Sequence, residues 1–125
     1  MSKRAFRNET CQQSDIEKWQ EQARLCRGDI LTMTSVAGSG HPGGSLSSID
    51  FLTLLYDQMA HFPDRPCSEE RDYLLVSNGH ISPALYAVLG RNGYFPYEEA
   101  LEGFRKAGTP YEGHVDTKVP GVEWI

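Results

Sequence analysis

Three of the four histidines in this chain directly follow a glycine, in segments rich in turn-forming residues. The pairs are Gly40-His41, Gly79-His80 and Gly113-His114. Imidazole titrates near neutral pH and can give or take a proton, and glycine lets a ligand approach the main chain. Anion binding and proton transfer are therefore the chemistry that these pairs indicate. The fourth histidine, His61, has no glycine partner, and we predict no function for it.

The first pair lies in Ser39-Gly40-His41-Pro42-Gly43-Gly44, between two predicted helices. Pro42 fixes one backbone angle, so the segment is predicted to have a defined shape. The N–H groups and the positive dipole end of the following helix would face this segment, which suits a phosphate. If the segment stood alone, a plain helix–helix turn would be the better explanation.

A second histidine segment favours a binding site instead. Ser77-Asn78-Gly79-His80 follows an apolar run at residues 73–77 and precedes a predicted helix that begins at Ser82 and Pro83. The apolar run is typical of a buried strand in a parallel sheet. In open α/β sheets, ligands bind at the carboxyl ends of strands. We therefore predict one anion site built from two helix starts.

The other predicted helices provide the apolar surfaces that position these segments. The first helix is predicted to start with a capping box of Ser14 and Glu17 and to stop at Gly38. Its apolar stripe is Ile16, Trp19, Ala23, Cys26, Ile30, Met33 and Ala37. The second helix is predicted to be capped by Ser47 and Asp50, which makes Asp50 a capping rather than a catalytic carboxylate. Because this helix is apolar over more than one face, we expect it to be buried on several sides.

The pattern as a whole predicts an incomplete α/β domain. Residues 1–13 show no periodicity and are predicted to be a flexible lead-in, and residues 14–125 form the partial domain. A third helix is predicted to end at Gly93 and a short fourth helix to cover residues 97–106. A single strand cannot make a parallel sheet, and residues 107–125 lack periodic structure. The pattern therefore predicts a chain that is cut short.

Composition excludes several classes of protein. The net charge of −5 argues against a nucleic-acid-binding surface, and no apolar run approaches the length of a membrane span. Residues 1–13 lack the apolar core of a signal peptide. Three cysteines without a pairing pattern are typical of reduced thiols, so we predict a cytoplasmic protein.

From about residue 14 to residue 125, the chain resembles the N-terminal, thiamine-diphosphate-binding part of transketolase. The resemblance rests on several motifs in order: Ser39-Gly40-His41-Pro42-Gly43-Gly44, Arg71-Asp72, Ser77-Asn78-Gly79-His80, Gly93-Tyr94, Phe104-Arg105, Gly113-His114 and Pro120-Gly121-Val122-Glu123. Gly43-Gly44-Ser45 is similar to the short bacterial form, in which two chains share the work of one. The family's Gly-Asp-Gly motif and its downstream Asn, which complete the magnesium site, are absent. Gly113-His114-Val115-Asp116 also departs from the family's usual Gly-His-Pro-Glu.

The resemblance implies a two-carbon ketol transfer from a ketose phosphate to an aldose phosphate, with thiamine diphosphate and Mg²⁺ as cofactors. By motif match, His80 and Gly79 would contact the cofactor diphosphate. His41 and His114 would be catalytic, facing the reacting carbonyl and the terminal hydroxyl of the sugar. No residue of this chain is predicted to bind the metal.

The resemblance also implies partners. Besides sugar phosphates, we expect a C-terminal transketolase subunit or domain, within a homodimer or a heterotetramer, and no activity from this segment alone. Two alternatives remain open at this point. The chain could be a segment of an enzyme similar to deoxyxylulose-phosphate synthase, or a non-catalytic scaffold that keeps the fold.

Overall fold

A computed structural model describes residues 11–123, and all of the regular secondary structure in this range is helical. The elements are α1 (Gln13–Ala37), α2 (Pro42–Gln58), a 3₁₀ turn (Gly79–Ile81), α3 (Ser82–Arg91) and α4 (Tyr97–Gly103). Most of the predicted lead-in, residues 1–10, lies outside the described residues. No helix in residues 11–123 is long and apolar enough to span a bilayer.

Helix α1 begins two residues earlier than predicted, with Gln12 instead of Ser14 at the N-cap position. The N–H of Gln12 donates to the Asp15 carboxylate at 2.9 Å, whereas Ser14 already lies inside the helix. The predicted box of Ser14 and Glu17 is therefore wrong, because Asp15 reaches the free backbone N–H first. The predicted stop at Gly38 is confirmed, with φ of 63°. The middle of the apolar stripe is buried: Ala23, Cys26, Ile30 and Met33.

Helix α2 begins at Pro42, five residues before the predicted cap. Proline suits the first helical position, because its φ is already helical and no N–H is needed there. Ser47 lies inside the helix, where its hydroxyl donates to the Gly44 carbonyl at 2.9 Å. Asp50 is exposed and accepts a hydrogen bond from Arg27 at 2.8 Å. The predicted capping role of Ser47 and Asp50 is therefore wrong.

The apolar residues of α2 do not all pack within the described part of the chain. Ile49, Leu52 and Tyr56 are buried, whereas Phe51 is 64 % exposed. One face of the helix is therefore in the core, and the predicted burial on several sides is not observed within residues 11–123.

Residues 73–77 form no regular secondary structure, and no strand pairs with them in the described range. Tyr73 and Leu75 are more than 60 % exposed, while Val76 is buried. This alternation is typical of a strand with one covered face, not of the fully buried strand that we predicted. The start of the segment is fixed by Asp72, which exchanges two hydrogen bonds of 2.7 Å with the backbone of Ala60.

Helix α3 is the centre of the fold. Every residue from Ser82 to Gly90 is buried, and α1, α2 and α4 all pack against the helix. Its predicted start at Ser82 and Pro83 is confirmed. Helix α4 ends at Gly103, three residues earlier than predicted, because Phe104 is extended and enters the core and Arg105 has a left-handed φ of 58°.

Candidate active site

The structure brings together the three histidines that follow a glycine. The ring centroids of His41 and His80 are 4.7 Å apart, and those of His80 and His114 are 4.6 Å apart. The Nε2 atoms of His80 and His114 are separated by 3.4 Å. All three side chains are exposed, so their nitrogen atoms are accessible to a ligand. We call this group the imidazole cluster.

His61 lies outside the imidazole cluster. Its Nδ1 atom is 3.2 Å from the hydroxyl of Tyr94, and its ring contacts Tyr56 edge-on. This histidine therefore packs among tyrosines.

His41 is held where α1 gives way to α2. It occupies the N-cap position of α2, directly after Gly40, which has a φ of 135°. A Cβ atom at Gly40 would lie 2.9 Å from the Thr34 side chain and 3.0 Å from Phe104, so only glycine fits. The tight connection places His41 beside the exposed first turn of α2.

His80 lies in the 3₁₀ turn that leads into α3. Its backbone N–H donates to the side chain of Asn78 at 3.3 Å, which shapes this turn. A Cβ atom at Gly79 would lie 3.0 Å from the ring of His114. Glycine at position 79 therefore allows the His80 and His114 segments to pack closely against each other.

The start of α3 does not form the second half of an open anion site. The residues of its first turn are buried, and the Ala84 N–H donates to the Ser45 hydroxyl at 3.3 Å. A buried and internally bonded helix start is not open to a ligand. The prediction of an anion site built from two helix starts is therefore wrong for α3. The first turn of α2 is exposed at Pro42, Gly43 and Gly44.

Two residues of α3 hold the His114 segment. The Ser82 hydroxyl donates to the Gly113 carbonyl at 2.6 Å, and the Tyr86 hydroxyl donates to the Glu112 carbonyl at 2.8 Å. Serine and tyrosine four residues apart lie on the same face of a helix. Helix α3 thus carries His80 at its start and fixes the position of His114 from its side.

We expect Ser82→Ala to destabilise the fold by about 1–3 kcal/mol, because it leaves the partly buried Gly113 carbonyl without its donor. Denaturant unfolding of the purified chain measures this change. Ser47→Ala is the matched control, because that hydroxyl is exposed and bonds only within α2. Equal stability of the two variants would contradict a role for Ser82 in holding the His114 segment.

Arg105 is a further residue of this region whose position the sequence did not indicate. Its backbone is left-handed, which is uncommon for a residue with a side chain. Its guanidinium group would lie 3.1 Å from a Cβ atom at Gly113, and it forms no ion pair within residues 11–123. Arg105, Lys106 and His114 line an open cavity of about 490 Å³. Positive charge therefore lies beside the imidazole cluster.

No three His, Cys, Asp or Glu side chains in the described range are arranged to hold a metal ion. The region contains exposed imidazoles, backbone N–H groups and cationic side chains, and the one carboxylate among the described residues that lines its cavity, Glu112, is paired with Lys118. Such a set is suited to an anionic ligand and to proton transfer.

The class of protein follows from comparison with known families. Residues 19–125 match the family described as "Transketolase, thiamine diphosphate binding domain". The chain therefore belongs to the transketolase family.

Particular relatives include components of split enzymes. The chain is 41 % identical over 108 residues to the 6-deoxy-6-sulfo-D-fructose transketolase subunit SqwG of a Clostridium species, covering 86 % of this chain and 38 % of that one. It is 34 % identical over 109 residues to one of the subunits of the apulose-4-phosphate transketolase of Phocaeicola vulgatus, with the same coverage. The crystal structure of a Campylobacter jejuni transketolase superposes with a TM-score of 0.80 and 37 % identity, covering 85 % of this chain and 17 % of that one. The chain thus spans less than two fifths of these relatives.

Proposed function

We propose that this chain forms the thiamine-diphosphate-binding part of a transketolase that transfers a two-carbon ketol unit between a ketose phosphate and an aldose phosphate. Membership of the family supports the chemistry. The observation that carries the proposal is the convergence of His41, His80 and His114 at the exposed start of α2. Residues up to 73 positions apart in sequence form one group of proton donors and acceptors.

The residues present fit the diphosphate end of the cofactor. The first-turn N–H groups of α2 have no acceptor within the helix, and Gly43 and Gly44 have no side chain to block an approaching phosphate. Gly44 also faces Ile81, so the turn that bears His80 lies against this end of α2. We propose that His80 donates a hydrogen bond to a diphosphate oxygen, beside these N–H groups, and that Gly79 allows the close approach of the segment.

His41 and His114 are proposed to act on the sugar. When bound, thiamine diphosphate supplies the nucleophilic carbon that accepts the two-carbon unit. His114 would hold a proton at the carbonyl oxygen or take one from the sugar hydroxyl. His41, whose ring also contacts His80, would likewise give a proton to the sugar or take one from it. Arg105, next to the His114 segment, adds positive charge that favours a phosphorylated substrate.

The remaining parts of the enzyme are proposed to come from outside the described residues. The exposed faces of Tyr73 and Leu75 suit a strand that joins a parallel sheet with flanking helices. We propose that a C-terminal subunit or domain, within a homodimer or heterotetramer, supplies this sheet and the ligands of Mg²⁺. A cytoplasmic location belongs to the same proposal, because Cys11, Cys26 and Cys67 are free thiols.

Complementation tests the proposal. The 125-residue chain is mixed with subunits that carry the rest of a split transketolase, and two-carbon transfer is measured with thiamine diphosphate and Mg²⁺. We expect activity from the complete mixture and none from either component alone. Cofactor binding without transfer in an assembled mixture would contradict the catalytic proposal and favour the scaffold alternative.

His80→Ala should weaken cofactor binding in the active assembly. Losing a hydrogen bond to a charged group costs about 1.5–3 kcal/mol, which corresponds to roughly 10- to 150-fold in affinity. Activity titrated against thiamine diphosphate should return to near the original rate at saturation. His61→Ala is the histidine control and should keep the original cofactor affinity. A rate that saturating cofactor does not restore would argue against this role for His80.

A further inference from the structure

A second cavity, distinct from the imidazole cluster, lies among α1, α2 and α3. It has a volume of about 260 Å³, and none of the residues that line it belongs to the imidazole cluster. The side chains that matter for its chemistry are Lys18, Trp19, Thr53, Tyr56, Asp57 and Asn92. We call it the three-helix cleft.

Two buried polar atoms in the three-helix cleft lack a hydrogen-bond partner. They are Oγ1 of Thr53, a residue only 6 % exposed, and Nε1 of Trp19. The hydroxyls of Thr32 and Thr34 each donate to the carbonyl four residues earlier, at 2.8 and 3.0 Å. The Thr53 hydroxyl departs from that pattern. The buried hydroxyl and the buried indole N–H are each available to donate to an acceptor group on a ligand.

The charges around the cleft are already neutralised. Lys18 donates to Asp57 at 2.7 Å, and Arg91 donates to both carboxylate oxygens of Asp29 at 2.7 and 2.8 Å. Burial alone would raise the pKa of Asp57, but the hydrogen bond from Lys18 and the nearby Trp19 indole outweigh burial and hold this pKa below its usual value. Lys18, Asp57 and Arg91 therefore contribute no unpaired charge to the cleft that would select a phosphate or a cation.

The remaining surface combines aromatic and polar groups. Trp19 and Tyr56 offer flat apolar faces. The Asn92 amide nitrogen donates to the Val88 carbonyl at 2.7 Å, and its oxygen accepts no hydrogen bond within residues 11–123. Thr53 and Trp19 can therefore donate to a ligand oxygen while Asn92 accepts from a ligand hydroxyl. Flat apolar faces suit the C–H surface of the same ligand.

We propose that the three-helix cleft binds an uncharged polyol or unphosphorylated sugar. Its hydroxyl oxygen accepts from Thr53 and Trp19, another hydroxyl donates to Asn92, and its carbon chain packs on the aromatic faces. The site does not depend on the proposed transketolase activity, because it shares no residue with the imidazole cluster.

The test uses the whole chain and xylitol as the probe. The indole N–H signal of Trp19 is followed by NMR during a xylitol titration, with Trp124→Phe assigning the two tryptophan signals. We expect a saturable shift that inorganic phosphate does not produce. Thr53→Val, which keeps the shape and removes the hydroxyl, should weaken the apparent affinity by roughly 2- to 10-fold. Thr32→Val, whose hydroxyl lies on the exposed side of α1, should leave it unchanged.

A second measurement keeps the proposal testable if affinity is low. Without xylitol, Thr53→Val should raise the melting temperature by roughly 3–6 °C, because it removes a buried hydroxyl without a partner. Two results would overturn the proposal. One is a shift linear in xylitol and identical in Thr53→Val, which indicates a bulk solvent effect. The other is a lower melting temperature in Thr53→Val, which indicates that ordered water already satisfies the hydroxyl.

Discussion

In the proposed transketolase assembly, we expect His114→Ala to lower turnover by about 10²- to 10⁴-fold, the range typical of a positioned acid–base group. His114 is exposed in the imidazole cluster, and its segment is fixed by hydrogen bonds from Ser82 and Tyr86. Alanine removes the imidazole and leaves those two bonds in place. Turnover at saturating sugar phosphate and saturating thiamine diphosphate is the measurement.

Two controls separate a catalytic role from a structural one. His61→Ala should keep near-normal turnover, because His61 packs among tyrosines away from the imidazole cluster. Ser82→Ala should lower stability more than His114→Ala does, because Ser82 is buried and His114 is exposed. If His114→Ala were fully rescued by excess cofactor, its role would be in binding, and the assignment to the reacting sugar would fail.

The fold explains how distant histidines reach one place. Helix α3 is buried along its length; it begins directly after the His80 turn, and its side chains hold the His114 segment. His41 joins them because α2 packs on α3 from its first turn, where Ser45 accepts a hydrogen bond from the Ala84 N–H. One buried helix therefore sets the relative positions of all three rings.

Sequence patterns predicted the parts of this arrangement that depend on the backbone preferences and the helical periodicity of neighbouring residues. The stop of α1 at Gly38, the start of α3 at Ser82 and Pro83, and the buried stripe of α1 all follow from backbone preference or from helical periodicity. The Gly-His pairs indicated which histidines belong together. Their convergence in the structure is a tertiary property that the pattern could only suggest.

Predictions failed where contacts between residues distant in sequence determine where a helix starts or whether a strand forms. Ser47 is a good capping residue, but Pro42 begins the helix earlier, because proline suits the first helical position. The sequence predicted that the backbone N–H groups at the start of α3 are free to bind an anion. In the structure, the Ala84 N–H donates instead to the hydroxyl of Ser45, which lies 39 residues away in sequence. The apolar run at residues 73–77 has strand character, but a strand needs a partner, and none lies within residues 11–123.

No local pattern indicated the buried ion pair between α1 and α3. Asp29 occupies a position next to the apolar stripe of α1 and is only 5 % exposed, where a charge alone would be costly. Its partner Arg91 lies 62 residues further along the chain, with two guanidinium nitrogens bonded to the carboxylate. The hydrogen bonds to Asp29 also raise the pKa of Arg91.

Arg91→Met should therefore destabilise the chain by about 3–5 kcal/mol, because it leaves the Asp29 carboxylate buried without its counter-charge. Denaturant unfolding measures this loss, and the double variant Asp29→Leu/Arg91→Met should recover much of it, because no unpaired charge remains. The cycle also separates the ion pair from the packing of Arg91 over the Tyr97 ring, 3.8 Å from its centroid. Arg24→Met, which breaks an exposed pair with Glu21, is the control and should cost much less than Arg91→Met. If Arg91→Met cost no more than Arg24→Met, the Asp29–Arg91 pair would contribute nothing to joining α1 and α3.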